Sequence, residues 1–200
     1  MKHGLPSGLP GMKIGLLGGS FDPAHGGHVN ITEIAMRVFR LDRVWWLVTP
    51  GNPLKAHGPA PIEQRVAGAQ KLLKDPRVVV TDIEARLDTR MTADTIQVLQ
   101  KIYPGVRFVW LMGSDNLVQF DKWDRWQEIA ETIPIGVMAR PGSRLAARNS
   151  VAANMLQRWR LPVREASTLA FRNPPAWVLI NLPMSKLSST ALRQAKEAKK

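Results

Sequence analysis

Six short apolar runs recur along the chain, at residues 13–17, 43–48, 77–81, 107–112, 135–138 and 177–181, and most are rich in β-branched or aromatic side chains. They are nearly continuous rather than alternating, the pattern of strands buried on both faces. Between them lie segments with helical spacing, at residues 28–39, 61–73, 92–102, 122–132 and 145–159. In the second of these, Ile62, Val66, Ala69, Leu72 and Leu73 share one face, and Pro61 suits a first-turn position. Strand and helix alternate, which predicts an α/β fold: an open parallel sheet of about six strands with helices on both faces. Right-handed crossovers then gather the loops that follow the strands on one edge, where such folds bind ligands. Residues 13–200 read as a single domain. Residues 1–12, with Gly and Pro but no apolar stretch of signal-peptide length, read as a flexible leader, and Met12 offers an alternative start.

Composition narrows the classes. The 200 residues are 44% hydrophobic and 22% charged, as expected of a globular chain and not of a disordered one. No apolar run reaches the roughly 18 residues of a membrane span, so no membrane partner is expected. Cysteine is absent, which excludes disulfides and thiolate metal sites and agrees with a cytoplasmic location. The net charge of +12 points to an anionic partner, either nucleic acid or a phosphate-bearing small molecule, or to a solvated basic face. Seven tryptophans would serve a nucleic-acid-binding module, but no RNA-recognition motif, zinc spacing or helix-turn-helix pattern accompanies them. No nucleic-acid partner is expected. Homo-oligomerisation is left open.

The most informative string follows the first strand: Gly18-Gly19-Ser20-Phe21-Asp22-Pro23-Ala24-His25-Gly26-Gly27-His28. Two glycines permit a tight turn and a close approach of backbone N–H groups to a ligand. The spacing is neither that of a dinucleotide fingerprint nor that of a P-loop. His25 and His28 stand three apart where loop becomes helix, so both rings can point towards one bound group. The helix N-terminus there adds donors and partial positive charge, which suits a triphosphate. Taken alone, the pair is also compatible with two residues closing a turn, or with a metal site having Asp22 as third ligand.

This string resembles the Gly-Ser/Thr-Phe-Asn/Asp-Pro-x-His-x-Gly-His signature of the nucleotidyltransferase superfamily. Leu187-Ser188-Ser189-Thr190-Ala191-Leu192-Arg193 resembles its second signature, Ile-Ser-Ser-Thr-x-Ile-Arg. Two signatures in the right order, about 160 residues apart, are far more specific than either. Three further segments resemble the bacterial nicotinate-nucleotide adenylyltransferase family in particular. They are Thr49-Pro50-Gly51-Asn52-Pro53-Leu54-Lys55; Thr92-Ala93-Asp94-Thr95-Ile96; and Leu111-Met112-Gly113-Ser114-Asp115-Asn116-Leu117 followed by Trp123. Arg140-Pro141-Gly142 fits that family's Arg-Pro-Gly after a strand. The likeness covers residues 13–194, and it departs at Asp22 (more often Asn), Ala24 (commonly Pro) and Met91 (Tyr in the family).

The resemblance implies a Rossmann-like nucleotidyltransferase that transfers the adenylyl group of ATP to nicotinate mononucleotide, with Mg²⁺ bridging substrate phosphates. It implies catalytic roles for His25, His28, Lys55 and Arg193. ATP would contact Gly18, Gly19, Ser20, Phe21, His25, His28, Asp115, Ser188, Ser189, Thr190 and Arg193. The acceptor would contact Lys55, Thr92, Thr95, Trp123 and Arg140. Alternative acceptors are nicotinamide mononucleotide and phosphopantetheine.

Overall fold

The computed structural model describes residues 4–51, 58–139 and 142–182. Six strands form one sheet: β1 (Lys13–Gly19), β2 (Arg43–Val48), β3 (Val78–Thr81), β4 (Arg107–Gly113), β5 (Ile135–Ala139) and β6 (Trp177–Asn181). Every pairing is parallel and the spatial order is β3-β2-β1-β4-β5-β6. This is the doubly wound arrangement predicted from the apolar runs. Parallel strands need crossovers, and the intervening helices cover both faces of the sheet.

Side chains alternate between two cores. Ile14, Leu16, Trp45, Phe108, Trp110 and Met112 face one side, where α4 (Thr92–Ile102) and α6 (Trp126–Thr132) pack. Leu17, Val44, Trp46, Val109 and Leu111 face the other, under α1 (Gly26–Val38), α2 (Ile62–Gln70) and a 3-10 helix at Val163–Phe171. Ahead of β1, Leu5 packs on the first core, and the buried Pro6 accepts the Tyr103 hydroxyl at 2.7 Å. These contacts give the expected leader an attachment to the domain.

Short helices depart most from the expected pattern. The stretch predicted as one helix over residues 145–159 divides into α7 (Arg144–Arg148), α8 (Val151–Met155) and a 3-10 turn at Gln157–Trp159. Ser150 makes the break: its hydroxyl donates to Ala147 O at 2.9 Å and accepts from Ala153 N at 3.2 Å, ending one helix and capping the next. The helix expected from residue 122 begins at Trp126, because Arg125 is left-handed with φ of 48°. Two more short helices, α3 (Ile83–Arg86) and α5 (Ser114–Val118), lie in stretches without enough length to show a period.

The strand order reverses between β1 and β4. The chain leaves β1 towards β2 and leaves β4 towards β5, so the loops after these neighbours diverge and open a crevice at the sheet's carboxyl edge.

Candidate nucleotide site

At this crevice β1 runs two residues further than expected, through Gly18 and Gly19, which still pair with Leu47 and Val48. Gly18 is needed for packing rather than for the turn: a Cβ there would lie 2.8 Å from the Trp110 ring. The turn itself falls at Phe21, with φ of 47°. A non-glycine residue in that region is held there by its surroundings. The Phe21 ring is buried and stacks on Trp46, centroids 4.8 Å apart and 11° between planes. Only the backbone of Phe21 is thereby left to meet a ligand.

The two histidines form a reciprocal cap at the start of α1. His25 Nδ1 accepts from Gly27 N at 3.0 Å, and His28 Nδ1 accepts from His25 N at 3.2 Å. Their rings lie 4.0 Å apart by centroid. An imidazole nitrogen that accepts a hydrogen bond carries no proton, so in each neutral ring the proton sits on Nε2. The cap thus fixes one tautomer and makes each Nε2 an N–H donor beside a helix N-terminus, a suitable arrangement for phosphate oxygens.

Arg65, on α2, joins this turn to the loop after β2. It is 4% exposed. Its Nε donates to Ala60 O at 2.6 Å, and Nη1 donates to Ser20 O at 2.7 Å and to Thr49 O at 2.8 Å. Burial lowers its pKa from the usual arginine range, while nearby Asp22 and Glu63 act in the opposite sense; a guanidinium stays charged throughout. Asp22, where Asn is commoner in the family it resembles, also accepts from Ala60 N at 3.3 Å through Oδ2. Its charge therefore has a nearby partner that Asn would not balance.

Thr49 is the second link. Its N–H donates to Gly19 O at 3.1 Å and its hydroxyl to Gly51 O at 2.8 Å. Next to it lies Glu84 of α3, 5% exposed, whose Oε1 accepts from the Thr95 hydroxyl at 3.3 Å. Burial pushes the Glu84 carboxyl up to about 7, against the smaller opposing effects of Thr49 and Thr95. Thr95 itself is wholly buried, its hydroxyl set among Thr89 Oγ1, Met91 O and Glu84. Thr92 opens α4, half-buried, with the helix's first-turn N–H groups around it.

On the other side of the crevice, Asp115 is exposed in the first turn of α5, directly after β4, and its carboxylate folds over Gly113. The Ser114 and Ser143 hydroxyls are 2.6 Å apart, tying this turn to the loop after β5. Trp123 is half-buried and extended, outside any helix; it meets Trp110 edge-on at 6.3 Å and Phe120 at 5.4 Å. Because Trp110 fills the space over Gly18, the Trp123 ring is coupled to the end of β1.

The chain matches the cytidylyltransferase-like family model over residues 16–195. A protein of Cereibacter sphaeroides (strain ATCC 17025) named "Probable nicotinate-nucleotide adenylyltransferase" is 61% identical over 91% of this chain and 97% of its own length. One of the same name from Ruegeria pomeroyi is 55% identical over 98% of this chain and 92% of its own. The chain belongs to the nicotinate-nucleotide adenylyltransferase family. The fold is that of the Plasmodium falciparum nicotinic acid mononucleotide adenylyltransferase solved with NaAD, with TM-score 0.68 at 16% identity over 92% of this chain and 83% of that one.

Within this family frame, Gly18 and Gly19 end β1, Ser20 and Phe21 follow in the turn, His25 and His28 open α1, and Asp115 lies in the first turn of α5 directly after β4; β1 and β4 are the two strands that flank the crevice. Thr92 and Thr95 lie on α4, and Trp123 lies between α5 and α6. Lys55, Arg140, Ser188, Ser189, Thr190 and Arg193 fall outside the described residues. Sequence reading passed over Arg65 and Glu84. Arg65 sits on the apolar face of α2, three residues after Ile62 and four before Ala69, but its charge makes it read as solvated, and Glu84 lies in a short stretch with charged neighbours that looks solvated too. The available signal was only a charged residue beside core positions Ile83 and Ala69.

Proposed function

We propose that this chain transfers the adenylyl group of ATP to nicotinate mononucleotide, releasing pyrophosphate and forming nicotinate adenine dinucleotide. The observation that carries the reading is the reciprocal histidine cap at the switch point, with both Nδ1 atoms accepting from backbone. It supplies two oriented Nε2–H donors and a helix N-terminus to one anion.

A phosphate oxygen of the acceptor is the nucleophile. It is already ionised at neutral pH, since a phosphate's second pKa is about 6, and no general base is required. That oxygen bonds to the α-phosphorus as the bond to the bridging oxygen of pyrophosphate breaks in line with it. His25 and His28 donate to the phosphates whose charge grows. The backbone of Gly18, Gly19, Ser20 and Phe21 lines the approach, and Asp115 accepts from ribose hydroxyls. Lys55, Ser188, Ser189, Thr190 and Arg193 complete the phosphate side. Thr92 and the first-turn N–H groups of α4 receive the acceptor's carboxylate, Trp123 stacks on its ring, and Arg140 meets its phosphate. Thr95, buried, contributes by holding α4 rather than by touching the acceptor.

Mg²⁺ fits this donor set as a substrate-bridged ion. Among the described residues no group of three or more His, Asp or Glu is placed to hold a metal, while phosphate and water oxygens are the ligands Mg²⁺ prefers. When bound, the ion neutralises charge between neighbouring phosphates. Among the described residues no helix is long and apolar enough to cross a membrane, and dependence on ATP supports a cytoplasmic setting.

The test is pyrophosphate release from ATP and Mg²⁺ with nicotinate mononucleotide, nicotinamide mononucleotide and phosphopantetheine assayed in parallel. The expected result is a kcat/KM for the nicotinate acceptor at least about tenfold above the others, roughly 1.4 kcal/mol of discrimination. Preference for another acceptor would overturn the assignment.

A further inference from the structure

Glu84 is a buried acid that no phosphate contact explains. Its carboxyl is held between the end of β2, where Thr49 lies, and α4, where Thr95 lies, while the Thr89 hydroxyl accepts from Thr95 and donates to the main-chain O of Glu84. All three are hydroxyls. No charged side chain acts on it among the described residues, and the ion pair of its own helix, Asp82 with Arg86, is exposed at the surface.

The donors are too few for a carboxylate. The single proton of Thr49 is divided between Gly51 O and the Glu84 carboxyl, and that of Thr95 is shared among Thr89, Met91 O and Glu84 Oε1. Glu84 Oε2 is buried with no hydrogen-bond partner among the described residues. A protonated carboxyl lessens the deficit, since its neutral form needs fewer donors than a carboxylate. A carboxylate would sit uncompensated in the core.

We propose that Glu84 is a positioning residue for the acceptor end of the site: uncharged, it ties the loop after β2 to the first turns of α4, and ionised, it opposes binding of an acceptor that carries a carboxylate. The geometry acts twice. Thr95 is one turn along α4 from Thr92, so a bond from Thr95 to Glu84 sets where the helix's first N–H groups point. A negative charge at Glu84 would also lie behind those N–H groups and weaken their pull on an anion. An acceptor with a neutral amide at that end would not feel the second effect. This rests on the adenylyltransferase reading above, in which α4 receives the acceptor's carboxylate.

The experiment measures KM and kcat for nicotinate and nicotinamide mononucleotides from pH 6 to pH 8.5, for the unaltered protein and for Glu84→Gln. Both acceptors carry the same phosphate, so their ratio cancels its titration. In the unaltered protein, KM for the nicotinate acceptor should rise on the order of tenfold relative to the amide across this range, with kcat changing less. Glu84→Gln, an uncharged near-isostere, should flatten that ratio. Melting curves add a readout independent of turnover. The folded acid binds its proton more tightly than the unfolded chain does, so its stabilising contribution is complete at low pH and is lost as pH rises towards about 7. Stability of the unaltered protein should therefore fall relative to Glu84→Gln over that interval. An unchanged pH ratio in Glu84→Gln, or parallel melting profiles, would overturn the proposal. No pyrophosphate release with either acceptor at any pH would instead sink the adenylyltransferase reading.

Discussion

One imidazole at position 28 does two tasks with its two nitrogens. Nδ1 accepts from His25 N and holds the helix start, which leaves Nε2 as the protonated atom. Substitution can separate the tasks. Asn at this position keeps an acceptor near Nδ1 but lacks the donor at Nε2, whereas Ala lacks both. His28→Asn should therefore melt close to the unaltered protein yet lose about 100-fold or more in kcat/KM, the scale of removing one oriented donor from a reacting phosphate. His28→Ala should lose a similar factor and about 1 kcal/mol of stability with the cap. Thermal melts beside pyrophosphate-release kinetics check both, and a fully active Asn variant would remove the donor role. The pair itself was legible, because a spacing of three puts two residues on one helix face. The division of labour was not, since it depends on ring orientation. Glu84 and Arg65 were invisible for a related reason: a charged side chain normally reads as solvated, and only the packing of α2 and α3 buries these two.

Between elements, Arg65 is the principal tie. One guanidinium on α2 reaches carbonyls of Ser20, Thr49 and Ala60, so the turn after β1 and the loop after β2 move with the helix. Arg65→Lys offers three donors from one point and cannot span these carbonyls as a planar fork does. Arg65→Ala orphans them. Each variant should lower stability, Ala by roughly 3 kcal/mol as buried acceptors lose a charged donor. KM for ATP should rise in both, since the phosphate turn loses its brace. Denaturant titration and initial-rate kinetics would read these effects, and an unchanged KM in the Ala variant would show the brace to be irrelevant to binding. Periodicity located α4, β2 and β6 to the residue, because each carries an unbroken apolar pattern. It failed across residues 122–125 and at Ser150. There a left-handed residue and a serine hydroxyl turned back on the helix interrupt the chain without altering the hydrophobic pattern.

For the molecule as a whole, the excess of +12 charges acts at long range on a polyanionic substrate. Raising salt from about 0.1 M to about 1 M shortens the screening length from about 10 Å to about 3 Å. KM for ATP should then rise several-fold while kcat changes little, measured with Mg²⁺ held in excess; a KM indifferent to salt would place the charge away from the crevice. The alternation of apolar runs and helical segments determined by itself that the sheet is parallel and wound on both faces, because buried strands without alternation need helices on each side. It also determined that Gly18 to His28 is chemically special, through residue types confined to eleven positions. Strand order belongs to the tertiary structure alone: nothing in the local pattern says that β1 lies between β2 and β4, and it is this neighbourhood that sets the Ser20 turn beside Asp115. The same holds for the buried ties of Arg65 and Glu84. Burial is a property of what packs around a residue, and beside near neighbours such as Ala60 and Thr95 these two meet Ser20 and Thr49, which come from segments distant in sequence and are brought close only when the sheet is complete.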